Sequence, residues 1–196
     1  AMPVLRWTTI KSVLALETSI GLVPGAGGLV RTVHMIGLDN AIPLVVEAKL
    51  TNPAEAAKLG LIDGLGSDRA TLLQLAAHWI LSNSQVTKPW DEKRHKLPGG
   101  GLFAVPGRYL KMQGQVAAAN KRGFGHQMAE VAALGALCEI ASAGFSDGEI
   151  LESRVFARQA RSDEATARIG LNLKDKSVLR RAPSRPREIA PATLPQ

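Results

Sequence analysis

Glu17-Thr18-Ser19-Ile20-Gly21-Leu22-Val23-Pro24-Gly25-Ala26-Gly27-Gly28-Leu29-Val30-Arg31 is the stretch that decides how this chain is read. The glycines between Pro24 and Leu29 let the backbone take positive φ and approach a neighbour closely. Apolar residues at 29, 30, 33, 35 and 36 form the stripe of a short helix, and Gly37 is a natural stop for it. Upstream, residues 13–23 are mostly apolar and read as an extended segment entering the turn. A glycine-rich turn before a helix suggests phosphate binding. Two phosphate-binding patterns fail here. No Gly-Lys-Ser/Thr follows Gly27-Gly28, and Val30 stands where a dinucleotide fingerprint needs its third glycine.

Working outward, Asp39 reads as the cap of a second helix running to about Glu47. Asn52-Pro53-Ala54-Glu55 supplies a cap, a proline at the first helical position and a capping-box glutamate. That helix ends at Gly60, with Leu61-Ile62-Asp63 leaving it extended. Residues 70–82 fit a further helix, with Leu72, Leu75, Ala76, Trp79 and Ile80 on one face. Residues 86–107 hold three prolines and four glycines without helical or strand period, and read as a long ordered loop. Helices are expected at 109–119, 127–143, 147–161 and 163–181, followed by a Pro-rich linker or tail from Ala182.

The chain has 196 residues, a net charge of +7, 45% hydrophobic residues and only 4% aromatic ones. That balance excludes wholesale disorder and favours helices packed through small side chains. One cysteine, Cys138, rules out an internal disulfide and a four-cysteine zinc site. Cys138 lies in an apolar stretch without a basic neighbour, so it reads as core rather than nucleophile. None of His34, His78, His95 and His126 has a partner at metal-ligand spacing, so no metal site is expected. His34 falls on the polar side of its helix, and Trp79 and Trp90 read as packing anchors. No apolar run reaches the roughly 18–20 residues of a membrane span. A soluble, cytoplasmic protein with no membrane partner is the expectation.

Residues 1–87 balance six basic against six acidic groups, whereas 88–125 carry eight against two. Residues 126–173 are net acidic and the tail is basic again. A solvated surface accounts for such blocks. Nucleic acid is not an expected partner, because few aromatics lie among the cations to stack on bases.

The quoted stretch resembles the second signature of the crotonase superfamily, the enoyl-CoA hydratases and isomerases, whose pattern runs P-E-x-x-x-G-x-x-P-G-x-G-G-x-x-R. Met35-Ile36-Gly37 is similar to the family's R-x-x-G helix end. Ala54 to Gly64 (AEAAKLGLIDG) is similar to its A-x-x-A-x-x-x-G-L-V-D segment. Lys88-Pro89-Trp90-Asp91 with Lys96-Leu97-Pro98-Gly99-Gly100 resembles an insertion of multifunctional fatty-acid oxidation proteins, which fuse a hydratase to a 3-hydroxyacyl-CoA dehydrogenase. Glu152-Ser153-Arg154-Val155-Phe156 looks like their linker helix. Arg180-Arg181-Ala182-Pro183 resembles the approach to their NAD-binding domain.

The resemblance implies an α/β chain: the C-terminal portion of a crotonase fold, a spiral of β-β-α turns, mostly helical here. The implied parts are 1–85 as the end of the crotonase core, 86–108 as the insertion, 109–181 as a helical region with linker helices, and 182–196 as the basic tail. It implies hydration of a trans-2-enoyl-CoA thioester. Glu17 stands at the family's second catalytic glutamate, and Gly25 at the position whose N–H holds the reacting water. No cofactor is expected in this chain: coenzyme A arrives as the substrate thioester, and NAD belongs to the dehydrogenase part. Acyl-CoA, a homo-oligomer and a complex with thiolase are the implied partners. Leu16 stands where the family has Pro. Only sixteen residues precede Glu17, without the oxyanion segments or the first glutamate, so the expectation is a piece of a larger protein with little activity of its own. The alternative is a non-catalytic helical module whose faces at 127–143 and 147–161 bind another subunit.

Overall fold

The computed structural model describes residues 5–7, 17–83, 85–126 and 128–181. Within them the chain is mostly helical. Two strands, β1 (Leu5–Trp7) and β2 (Gly64–Gly66), pair in parallel, with Leu5 opposite Gly64 and Trp7 opposite Gly66. The helices are α1 (Gly28–Ile36), α2 (Leu38–Val45), α3 (Pro53–Leu59), α4 (Arg69–Ser82), α5 (Arg108–Gly123), α6 (Met128–Ile140), α7 (Phe145–Ala160) and α8 (Asp163–Arg181). Short 3-10 turns at Glu17–Ile20 and Pro89–Asp91 complete the described elements. The tail 182–196 and most of 1–16 lie outside the described residues.

One core holds the helical body together. Leu29, Val30, Val33 and Ile36 of α1 meet Leu38, Ala41, Ile42 and Val45 of α2 and Leu134, Leu137 and Ile140 of α6. All are nearly fully buried, and each large aliphatic side chain so placed contributes about 1.5–3 kcal/mol. The α6 helix is central, packing against α1, α2, α5 and α7. It is rich in alanine, so neighbouring helices come close. At Gly148 an added Cβ would sit 2.9 Å from Val30 and 3.3 Å from Ile140, which shows how tightly α7 lies on α1 and α6.

Several sequence expectations need correction. Asp39 does not cap α2: the cap position is Gly37 (φ 77°), and no side chain caps the helix. The Asp39 carboxylate turns instead to Arg108, 2.7 Å away. Pro43 lies inside α2, beyond its first turn. The extended piece after α3 is Gly64–Gly66 rather than Leu61–Asp63. Residues 17–20 form a 3-10 turn, not extended chain. The α5 helix runs on to Gly123, where Phe124 in the left-handed region (φ 48°) and Gly125 end it. The α3 helix follows its sequence signals, with Asn52 Oδ1 accepting from Glu55 N–H and Gly60 closing it.

The 86–107 loop is ordered, and its contacts explain why. Trp90 stacks on Phe145 with centroids 4.7 Å apart and planes 3° from parallel. Arg108, buried at the start of α5, donates to the carbonyls of Gly99, Gly100 and Gly101 and to Asp39. A single guanidinium thus replaces the regular backbone ladder that the glycines lack. Gly37 admits the loop: a Cβ there would lie 2.2 Å from the Pro98 carbonyl oxygen.

The α4 helix differs from the rest. Asp68 caps it by accepting from Thr71 N–H, and it packs against β1 and β2. None of its residues is fully buried. Leu72, Ala76 and Trp79 are half-buried, whereas Leu75 and Ile80, expected on the same face, are exposed together with Leu73 and Leu81.

Candidate functional site

The glycine turn is built as an anion receptor, and the protein fills it with its own carboxylate. Ala26 (φ 54°) and Gly27 (φ 86°) are consecutive left-handed residues ahead of α1. That conformation gathers backbone N–H groups toward one point, where the positive end of the helix adds to them. Glu152 of α7, 2% exposed, occupies that point. Its Oε1 accepts from Gly27 N–H at 2.5 Å, and its Oε2 accepts from Leu29 and Val30 N–H at 2.9 and 3.0 Å. Three otherwise orphaned donors at a helix start are satisfied by one side chain more than 120 positions away in sequence.

A substrate phosphate therefore has no free N–H cluster to meet here. The second face of the turn is also covered. A Cβ on Gly25 would sit 2.9 Å from the Phe156 ring, one helical turn beyond Glu152 on α7. Arg31 donates to the Ala26 carbonyl at 2.6 Å and lies 3.7 Å from Glu149, an exposed pair of little energetic weight.

Glu17 opens the 3-10 turn that precedes the glycines. That turn is clamped from three directions. Thr18, buried, donates its Oγ1–H to the Val45 carbonyl at the end of α2, at 2.8 Å. Gln159 of α7, also buried, donates to the Gly21 carbonyl at 3.0 Å. Arg168 of α8 reaches the Ser19 carbonyl. Gly21 takes φ +80° against the backbone of Ala165, so its lack of a side chain is required twice over. On this rigid mount Glu17 is half-buried. Its Oε2 is shielded from solvent and has no hydrogen-bond partner among the described residues. A buried carboxylate oxygen left without a donor is costly.

The remaining sequence candidates separate clearly. His34 is not on a polar face. It is 6% exposed, facing His95 of the loop with Nδ1 3.0 Å from His95 Nε2, and ringed by Trp90 and Phe145. Its Nε2 is buried without a hydrogen-bond partner among the described residues. Among the described residues no third ligand joins the two imidazoles in a metal-binding group. Burial, and then the neighbouring His95, hold the His34 pKa below its ordinary value of 6.5. A histidine whose folded pKa is depressed contributes stability above the unfolded pKa and loses it as pH falls. The urea midpoint is therefore expected to drop between about pH 7 and pH 5, and His34→Gln to weaken that dependence. A midpoint equally pH-dependent in the variant would contradict the assignment to His34. Cys138 is half-buried, and burial followed by Glu139 raises its thiol pKa, as an inert core cysteine requires. His78 is exposed, and Trp90 is the packing anchor of the loop.

Sequence reasoning missed Glu152 as a partner of the turn and Thr18 and Gln159 as its clamps. The pattern that carries two of them is the buried face of α7, made of Gly148, Glu152 and Gln159. A stripe of that composition gives no hydrophobic signal.

The helical body thus carries Glu17 on a clamped turn beside a glycine turn that Glu152 closes from within. Comparison adds a relative. The chain is 30% identical over 163 residues to a fatty acid oxidation complex subunit alpha of Psychrobacter sp. (strain PRwf-1), a match covering 83% of this chain and 22% of that protein. The chain thus spans about a fifth of the length of that curated relative. No protein-family model matches the chain. No helix among the described residues is long and apolar enough to cross a membrane.

Proposed function

We propose that this chain supplies the C-terminal part of a crotonase-type enoyl-CoA hydratase unit in a multifunctional fatty-acid oxidation protein. The reaction is addition of water across the trans-2 double bond of an enoyl-CoA thioester. Hydroxyl goes to the β carbon and a proton to the α carbon. Glu17 gives and takes that proton, and the Gly25 N–H orients the water. Coenzyme A is part of the substrate. NAD, a dehydrogenase activity and a thiolase partner belong to the larger assembly. The observation that carries this reading is Glu17 Oε2, buried on a clamped turn with no hydrogen-bond partner among the described residues. Similarity to the Psychrobacter fatty acid oxidation complex subunit alpha supports it.

The test is a chimera in which this chain replaces the matching stretch of the Psychrobacter subunit, assayed for hydration of a trans-2-enoyl-CoA. Glu17→Gln is expected to lower kcat by about 10²–10⁴, with KM little changed. An inert chimera that folds, or an unchanged rate in the variant, would overturn the role of Glu17.

A second reading is a non-catalytic docking module. The α6 and α7 helices pack largely on each other and on α1, although Met128, Ile150 and Phe156 stay exposed. Among the exposed apolar side chains, Leu73, Leu75, Ile80 and Leu81 share one helix, α4. Under this reading Leu73→Gln with Leu81→Gln abolishes self-association in size-exclusion chromatography while Glu17→Gln changes nothing.

A further inference from the structure

The junction of the loop and α5 carries an apolar knuckle that the hydratase reading does not use. Phe103 is 77% exposed, Leu110 73% and Tyr109 45%, and Val105 and Pro106 between them are exposed too. Phe103 and Tyr109 stack on each other with centroids 5.7 Å apart. A soluble surface seldom gathers such side chains without a purpose. They are also firmly mounted. Arg108, between Gly107 and Tyr109, is 4% exposed and tied to three loop carbonyls and to Asp39. The knuckle is thus a stiff projection, not a fraying end.

Its surroundings are cationic. Residues 88–125 hold eight basic groups against two acidic ones. Arg108 and Arg122 are paired internally with Asp39 and Glu130. Lys93, Arg94, Lys96 and Lys111 are exposed and have no carboxylate partner among the described residues. Two exposed rings and an exposed leucine, with cations close to them in sequence, match an anionic layer with an apolar interior. A protein partner would need a socket shaped for Phe103 and Leu110, whereas a lipid layer admits them directly. We propose that the 103–111 knuckle docks peripherally on an anionic phospholipid surface, inserting Phe103, Tyr109 and Leu110 at headgroup depth while Lys96 and Lys111 meet the lipid phosphates. The sequence expectation of no membrane partner rested on the lack of a spanning segment, and a peripheral contact needs none.

The test is co-sedimentation of the 196-residue chain with vesicles of phosphatidylcholine alone and of phosphatidylcholine mixed with phosphatidylglycerol in equal parts. Stronger binding to the mixed vesicles, weakened by salt, is expected. Phe103→Ser with Leu110→Ser should reduce partitioning by about tenfold or more per side chain. Lys96→Glu with Lys111→Glu should reduce it by about fivefold or more per site, on mixed vesicles only. Circular dichroism checks the fold of each variant. Leu110→Gln, outside the ring stack, repeats the test if the double variant does not fold. No binding to mixed vesicles, or binding that Phe103→Ser with Leu110→Ser leaves intact, would overturn the proposal. So would self-association without lipid that the same variant abolishes, because the knuckle would then cover a second copy of the chain.

Discussion

Glu152→Ala is expected to cost about 4 kcal/mol, a large share of the stability of a domain of this size. The estimate follows from what the carboxylate satisfies. Gly27, Leu29 and Val30 N–H all point at it inside the protein. Each buried donor left unpaired costs about 1–3 kcal/mol, and the vacated volume adds a cavity. A domain of this size has roughly 5–15 kcal/mol in total. Glu152→Gln keeps the volume but brings an NH2 group against backbone donors and removes the charge at the helix start, so about 3 kcal/mol is expected. Glu152→Asp is too short to reach both ends of the turn. The urea midpoint of each variant reads the effect. A change below about 1 kcal/mol in Glu152→Ala would mean that the turn holds its shape without α7.

Arg108→Met is expected to cost about 3 kcal/mol and, more tellingly, to free the 86–107 loop. The guanidinium is the common partner of the Gly99, Gly100 and Gly101 carbonyls. Asp39, about half exposed, can return to water when its partner is lost, so the penalty falls on the loop. Arg108→Lys keeps the charge but cannot spread its donors over three carbonyls, and should recover only part of the loss. Limited proteolysis between Val86 and Gly107, with the fluorescence of the Trp90–Phe145 stack, separates loop release from global unfolding. Unaltered cleavage in Arg108→Met would show that the Trp90 and His95 contacts suffice alone.

Much of the helical body was legible because it follows periodicity. The α1 stripe at Leu29, Val30, Val33 and Ile36 is its buried face, and Asn52-Pro53 starts α3 as its chemistry requires. The errors share a cause. Asp39 was read as a local cap, Glu152 as part of a linker motif and His34 as a surface residue. Each of their partners lies about 60 or more positions away: Arg108, the glycine turn and His95. Local patterns carry no information on such pairings. The amphipathic reading of α4 placed Leu75 and Ile80 inside, and both are exposed. For the candidate site, Glu17 and Gly25 rest on a motif resemblance, whereas the three clamps on the Glu17 turn leave no local signal because each ends on a backbone carbonyl.

The glycine turn is closed by the chain's own carboxylate, Glu152, so its N–H groups are not open to an external anion. The backbone amide resonances of Gly27, Leu29 and Val30 test this directly. They should stay in place when coenzyme A or inorganic phosphate is added, and shift strongly in Glu152→Gln. Movement of all three on adding phosphate to the unaltered chain would show that Glu152 is only a placeholder for an external anion, and would contradict the account.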